Sequence, residues 1–175
     1  MIRRLEVSNA PANRDLMIQA SETDAFISTP EERASLPLSF WEKRVAHPDG
    51  LSVTFGAFDG ESMVGSATVE FLTREKVRHK SRLLGMFVLS AYRSRGLGQQ
   101  LVEAVIEEAR SRPQARMMSL TVTEGNDAAI SLYERCGFQI IGTEPKAIAT
   151  PRGDLGMVHM WLDLETARGD EGSET

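Results

Sequence analysis

An apolar run, Leu83-Leu84-Gly85-Met86-Phe87-Val88-Leu89, passes through Ser90-Ala91-Tyr92-Arg93-Ser94-Arg95-Gly96 straight into the longest amphipathic stretch of the chain. Leu97, Leu101, Val105 and Ala109 recur there every four residues, with Val102 and Ile106 widening the stripe. That is the period of a helix laid on a core. A strand feeding a glycine-bearing turn and then a helix commits the chain to a sheet with helices packed on its faces.

The flanking segments extend the same pattern. Ile2–Val7 reads as a weak strand, and Asn9 or Asn13 is placed to cap a helix carrying Leu16, Met17 and Ala20. Residues 21–37, rich in Ser, Thr, Glu and Pro, read as loop with room for a short turn of helix. Leu38–Ala46 sets Phe40, Trp41 and Val45 at helical spacing, and 51–57 alternates apolar with small residues at the period of a half-buried strand. Asp59-Gly60 turns that strand back into 63–71. Beyond the long helix come a strand at 117–122, a helix opened by Asn126 or Asp127 and closed by Gly137, and strands at 138–141 and 157–164. The order predicts one α/β (α+β) domain over residues 1–165, followed by a polar tail at 166–175 that is predicted to be disordered.

Size agrees with a single core: 175 residues, 41% hydrophobic and 26% charged. The formal net charge of −5 disfavours nucleic acid and anionic membrane as partners, and the basic stretch Arg74–Arg82 reads as a solvated loop. Cys136 is the only cysteine, so no intrachain disulfide forms, and its place on the inner helix face suggests burial over nucleophilic use. His47, His79 and His159 are scattered without a second ligand at metal spacing, so no metal is expected. No apolar run approaches the ~20 residues of a membrane helix, and the charged start lacks a signal-peptide core. The expected location is the cytoplasm, and the sequence leaves a homodimer open.

The turn at 93–98 carries the chemistry. The first amides of a helix lack intrahelical acceptors and aim at one spot, where the helix dipole adds partial positive charge. Gly96 and Gly98 let a bulky anion approach the backbone, and Arg93 and Arg95 bring mobile positive charge, which suits a phosphate or pyrophosphate. Gln99-Gln100-Leu101 supplies no third glycine for a dinucleotide fingerprint, and no Gly-Lys-Ser/Thr follows for a P-loop. Spacing alone leaves open a structural turn with incidental arginines.

Arg93-x-x-Gly96-x-Gly98 after a strand ending in Val88 resembles the signature of the GNAT superfamily, the acetyl-CoA-dependent N-acetyltransferases. Asn126-x-x-Ala129-x-x-Leu132-Tyr133-x-x-x-Gly137-Phe138 resembles that family's other signature helix and the strand after it. The similarity covers residues 2–164 and is strongest over 83–142. It implies a mixed, mostly antiparallel central sheet of about six to seven strands flanked by about four helices. It also implies acetyl-CoA as cosubstrate, admitted where the strands at 83–89 and 117–122 splay apart. By the same resemblance, the segment Arg93-Ser94-Arg95-Gly96-Leu97-Gly98-Gln99 would hold the CoA pyrophosphate through its amides. The main chain at Phe87 and Val88 would pair with the pantetheine arm as an added strand does, and the Val88 N–H would polarise the thioester carbonyl. Asn126 would hydrogen-bond the pantetheine, with Ala129 packed nearby.

Direct attack by a primary amine in a ternary complex needs a neutral amine, a stabilised thioester oxygen and a proton for the departing thiolate. Tyr133 fits the last need as a phenol with an ordinary pKa of ~10, a role the resemblance implies; a core aromatic fits its position too. Glu70, near the end of the returning hairpin strand, is a candidate base, although Ser66, Thr68 and Glu70 share one face that reads equally well as solvated. Glu124 is a weaker candidate. The acceptor is a small-molecule amine or a protein amine, and the negative net charge mildly favours a cationic one. Phe26, Phe40 and Trp41 lie where relatives build the acceptor pocket, and core packing fits each at least as well. The competing reading is a non-catalytic acyl-CoA-binding or sensing module, which needs neither Tyr133 nor a base.

Overall fold

In the computed structural model, which describes residues 1–166, seven strands form one sheet in the order β1-β2-β3-β4-β5-β7-β6. They are β1 (Ile2–Arg4), β2 (Ser52–Asp59), β3 (Ser62–Phe71), β4 (Lys80–Val88), β5 (Met117–Thr123), β6 (Gln139–Thr150) and β7 (Gly153–Asp163). The helices are α1 (Ala10–Ala20), α2 (Pro30–Ala34), α3 (Leu38–Val45), α4 (Leu97–Arg110) and α5 (Asp127–Arg135). All neighbouring strands run antiparallel except β4 and β5, so the mixed, mostly antiparallel sheet agrees with the expected architecture. The tail predicted at 166–175 lies outside the described residues, save for Thr166.

Period-two alternation in β2 and β3 divides the molecule into two layers. Val53, Ala57, Ala67, Val69 and Phe71 face α4, whose stripe of Leu101, Val102, Val105, Ile106 and Ala109 completes the larger core. Thr54, Ser66 and Thr68 face the other way, and that face is not solvated as their polarity suggests. Ser66 and Thr68 are 1% and 4% exposed, covered by the N-terminal helices and a second core that includes Leu16, Met17, Trp41 and Val45. Burial is tolerable because the hydroxyls are paired: Thr54 Oγ1 and Thr68 Oγ1 lie 2.6 Å apart, and Thr54 Oγ1 also donates to the Arg44 carbonyl at 3.2 Å. Asn13 caps nothing; it sits buried within α1 and donates from Nδ2 to Ser66 Oγ at 3.1 Å.

The short helical turn allowed within 21–37 is α2, set by a reciprocal capping box between Thr29 and Glu32, at 3.2 and 2.8 Å, with Pro30 in the first turn. One element departs from the sequence-based expectation. Strand β6 runs to Thr150, well past the expected Ile141. It is an exposed edge strand with two register shifts against β7 and a positive φ at Lys146, so it carries no readable alternation.

Candidate active site

The site begins with an interruption in the sheet. β4 pairs with β5 only from Lys80↔Met117 to Arg82↔Ser119, although β4 continues to Val88 and β5 to Thr123. Gly85 explains the parting. Its φ of +58° lies where glycine is favoured, and the β3–β4 register slips by one residue between Ser66↔Phe87 and Thr68↔Leu84. This bulge bends β4 away from its parallel neighbour and opens a wedge. A β carbon on Gly85 would meet Met17 Sδ at 3.3 Å.

The wedge presents backbone to its interior. The Leu89 N–H donates to the Val64 carbonyl of β3 at 2.8 Å. Successive strand amides alternate sides, so the Val88 N–H points away from β3 into the wedge. The Val88 carbonyl accepts from Arg93 Nε at 3.0 Å. The same alternation turns the Phe87 main chain toward its partner Ser66, so Val88 is the member of this pair that offers polar backbone to the opening.

At the wide end of the wedge stands the α4 N-terminus. Gly96 caps it at φ +79°, Ser94 also has positive φ at +61°, and the first helical bond in this turn runs from the Gln100 N–H to the Gly96 carbonyl. The amides of Leu97, Gly98 and Gln99 are therefore left without intrahelical acceptors. The two glycines serve different ends. Gly96 holds a left-handed cap, whereas a β carbon on Gly98 would meet Leu132 Cδ2 of α5 at 3.1 Å; its absence permits the close approach of the two helices. The arginines fold back on the turn. Arg93 lies over the Phe87 ring at 5.6 Å, and Arg95 lies over Tyr92 at 5.0 Å while donating to the Ala91 carbonyl.

Helix α5 forms the facing wall. The Asn126 side chain accepts from the Ala129 N–H at 3.3 Å as its N-cap. The far end closes in a Schellman motif: the Phe138 N–H reaches the Tyr133 carbonyl, the Gly137 N–H reaches the Glu134 carbonyl, and Gly137 has φ +99°. Phe138 then packs edge-on against the Tyr133 ring at 5.9 Å, which fixes that ring. Burial, with a smaller contribution from Cys136, pushes the Tyr133 phenol well above its ordinary value, so it stays protonated. Cys136 is half-buried, and its thiol is pushed up by burial first and by Glu103 second.

These walls enclose a cleft of about 770 Å³, within the range of small-molecule and cofactor sites. Phe87, Val88, Arg93, Ser94, Gly96, Leu97, Gly98, Gln99, Asn126, Ala129 and Tyr133 all line it. Arg95 and Glu70 do not. Glu70 sits beside the exposed Arg82, with Oε1 3.8 Å from Nη1, and Glu124 lies outside the cleft as well. Among the described residues no Asp or Glu lines it, whereas Arg33, Arg44, Arg93 and Arg135 do. The cleft is thus locally cationic in a chain of net charge −5, the reverse of what the net charge suggested about an acceptor.

Phe26, Phe40 and Trp41 line the end nearest the N-terminal helices, with Phe26 edge-on to Phe87 at 6.2 Å. Arg33 and Arg44, beside them, carry no sequence signal of their own. Arg33 lies in α2, which packs on α1, and Arg44 in α3, which packs on α1 and β2, so both reach the cleft only once these elements are assembled. Among the described residues no group of three or more His, Cys, Asp or Glu side chains could hold a metal ion, and no helix is long and apolar enough to cross a membrane.

A split sheet with a helix mouth beside the split defines a class of protein, and the comparisons name it. Residues 16–138 match the model of the acetyltransferase (GNAT) family, and the chain belongs to that family. It is 30% identical over 106 residues to the L-amino acid N-acetyltransferase AaaT of Escherichia coli strain K12, covering 61% of this chain and 64% of that protein. It is 32% identical over 107 residues to the N-alpha-acetyltransferase RimI of Mycobacterium tuberculosis, covering 61% and 63%. The matched region thus spans less than two thirds of these relatives. YncA of Salmonella typhimurium, solved with its cofactor acetyl-CoA, shares the fold with a TM-score of 0.78 over 94% of this chain and 93% of that one, at 21% identity.

Proposed function

We propose that this protein transfers the acetyl group of acetyl-CoA directly to a primary amine in a ternary complex. The observation that carries this reading is the wedge between β4 and β5, with the Val88 N–H at its edge and the free amides of α4 at its mouth. The pyrophosphate would sit on the amides of Leu97, Gly98 and Gln99, within reach of Arg93. The pantetheine arm would run along β4 and meet the Val88 N–H, with Asn126 and Ala129 on the opposite wall.

The amine nitrogen, neutral after its ammonium has lost a proton, attacks the thioester carbonyl and forms the C–N bond. The Val88 N–H donates to the oxygen on which charge develops. Collapse breaks the C–S bond, nitrogen loses its second proton, and the thiolate takes a proton from the Tyr133 phenol, which solvent restores. One proton is released overall. Burial makes Tyr133 a weaker acid than a free phenol, but it equally raises the basicity of a thiolate formed beside it. Among the described residues no carboxylate lines the cleft, so Glu70 is not assigned as the base. The cationic wall itself lowers the ammonium pKa of the acceptor, and water can carry the proton away.

The test is thiol release from acetyl-CoA on addition of a panel of amines to the purified protein. Saturable release dependent on an amine is expected. A protein that binds acetyl-CoA but releases no thiol above background with any amine is instead a sensor. The relatives are named for different acceptors, a free amino acid for one and an α-amine for the other, so kinship does not choose among them.

A further inference from the structure

The acceptor end of the cleft holds two guanidinium groups where a cavity for a cationic amine would hold carboxylates. Arg33 and Arg44 are both partly buried cleft residues. Each rests on an aromatic ring, Arg33 over Phe26 at 4.7 Å and Arg44 over Phe40 at 5.2 Å. Arg33 Nη1 donates to the Met17 carbonyl at 2.6 Å, which leaves other donors of its fork unspent. The ion pairs among the described residues include neither side chain. The charge of Glu70 acts on Arg44, but Glu70 lies outside the cleft and beside Arg82.

Like charges brought together in a partly buried cavity repel and lose hydration. Both effects act here: burial and then the charge of Arg44 lower the Arg33 pKa, and burial lowers that of Arg44. Neither guanidinium discharges at working pH, so the arrangement is costly until an anion occupies it. Planar forks on aromatic rings match a carboxylate. Phe26 meets Arg33 on its face and Phe87, the neighbour of Val88, edge-on, which links the cationic end to the point of transfer.

We infer that the acetyl acceptor is a free amino acid whose carboxylate is held by Arg33 and Arg44 while its side chain lies against Phe40 and Trp41. This deepens the acetyl-transfer reading and rests on it. It also answers the missing base, because the cations that fix the carboxylate favour the neutral form of the adjacent amine.

The experiment compares each of the common amino acids with its carboxamide, and L-phenylalanine and L-leucine also with 2-phenylethylamine and isoamylamine, with spermidine as a cationic control. Thiol release and acetyl-CoA KM are measured for the native protein, Arg33→Gln and Arg44→Gln. The best amino acid is expected to exceed its carboxamide in kcat/KM by roughly tenfold to a hundredfold, the scale of a lost charged hydrogen bond. Arg44→Gln should collapse that ratio toward one with acetyl-CoA KM unchanged. The ratio in the native protein decides even if a variant fails to fold. Carboxamides or spermidine accepted as well as, or better than, every amino acid would overturn the anion site and leave acetyl transfer standing. If no amine gives thiol release above background, acetyl transfer is overturned; calorimetry of the amino acids on the CoA-loaded protein would then judge the anion site alone, and absence of binding would overturn it.

Discussion

Tyr133 is placed by three local devices acting together: an N-cap at Asn126, a Schellman closure through Gly137, and edge-on packing of Phe138 against its ring. A ring so fixed can hold its hydroxyl at one point in the cleft. Tyr133→Phe is expected to lower kcat about a hundredfold while leaving acetyl-CoA KM within about twofold; an unchanged kcat would remove the residue from the mechanism. The raised phenol pKa has two consequences. Rate against pH should climb as the acceptor amine deprotonates, with no descending limb from Tyr133 below about pH 10. Stability follows the same proton. The unfolded chain releases it near pH 10 and the native protein later, so this contribution is complete below about pH 10 and is lost as pH rises above it, which denaturant melts between pH 8 and 11 would detect.

At the scale of elements, the decisive features are a bulge and a helix contact. Gly85→Val places a β-branched residue at φ +58° against Met17. It should cost about 1 to 3 kcal/mol and weaken acetyl-CoA binding by narrowing the wedge, as thermal melts and calorimetry would show. Unaltered binding would mean that the bulge does not open the site. Gly98→Leu should part α4 from α5 through Leu132, and it should impair binding far more than Gly96→Ala, which strains one left-handed residue but meets nothing nearer than Gln100 Nε2 at 3.7 Å. Equal effects on titration calorimetry would refute the separate roles.

The two signature segments were readable because each carries its reason locally: Gly96 at a left-handed cap, Gly137 at a helix end, a four-residue stripe in α4. The bulge left a trace, a lone glycine within the apolar run 83–89, but its effect depends on β3 and β5 lying on either side. Arg33 and Arg44 left none. Their meaning comes from residues distant in the chain, as does the burial of Ser66 and Thr68, whose polarity mimics a solvated face. The start of β6 was legible at 138–141, but its continuation to Thr150 was not, because an edge strand with two register shifts shows no alternation.

Over the whole molecule, the sheet acts as a frame that is whole at one end of the β4–β5 pair and open at the other. The two cores clasp it from opposite faces, and the cleft passes between them. A coenzyme that bridges the opening would bind the native state alone. Acetyl-CoA at about a hundred times its Kd should therefore add about 2.7 kcal/mol and raise Tm by roughly 5 to 10 °C for a domain of this size, whereas ATP should do markedly less. Equal protection by ATP would point to a general nucleotide site.

The most direct test follows the backbone amides of the ¹⁵N-labelled protein by NMR during titration with acetyl-CoA. The resonances of Val88, Leu97, Gly98 and Gln99 should shift together and saturate at one stoichiometric equivalent. If they stay in place at saturating acetyl-CoA, or if the shifts gather on other elements, the wedge is not where the coenzyme binds.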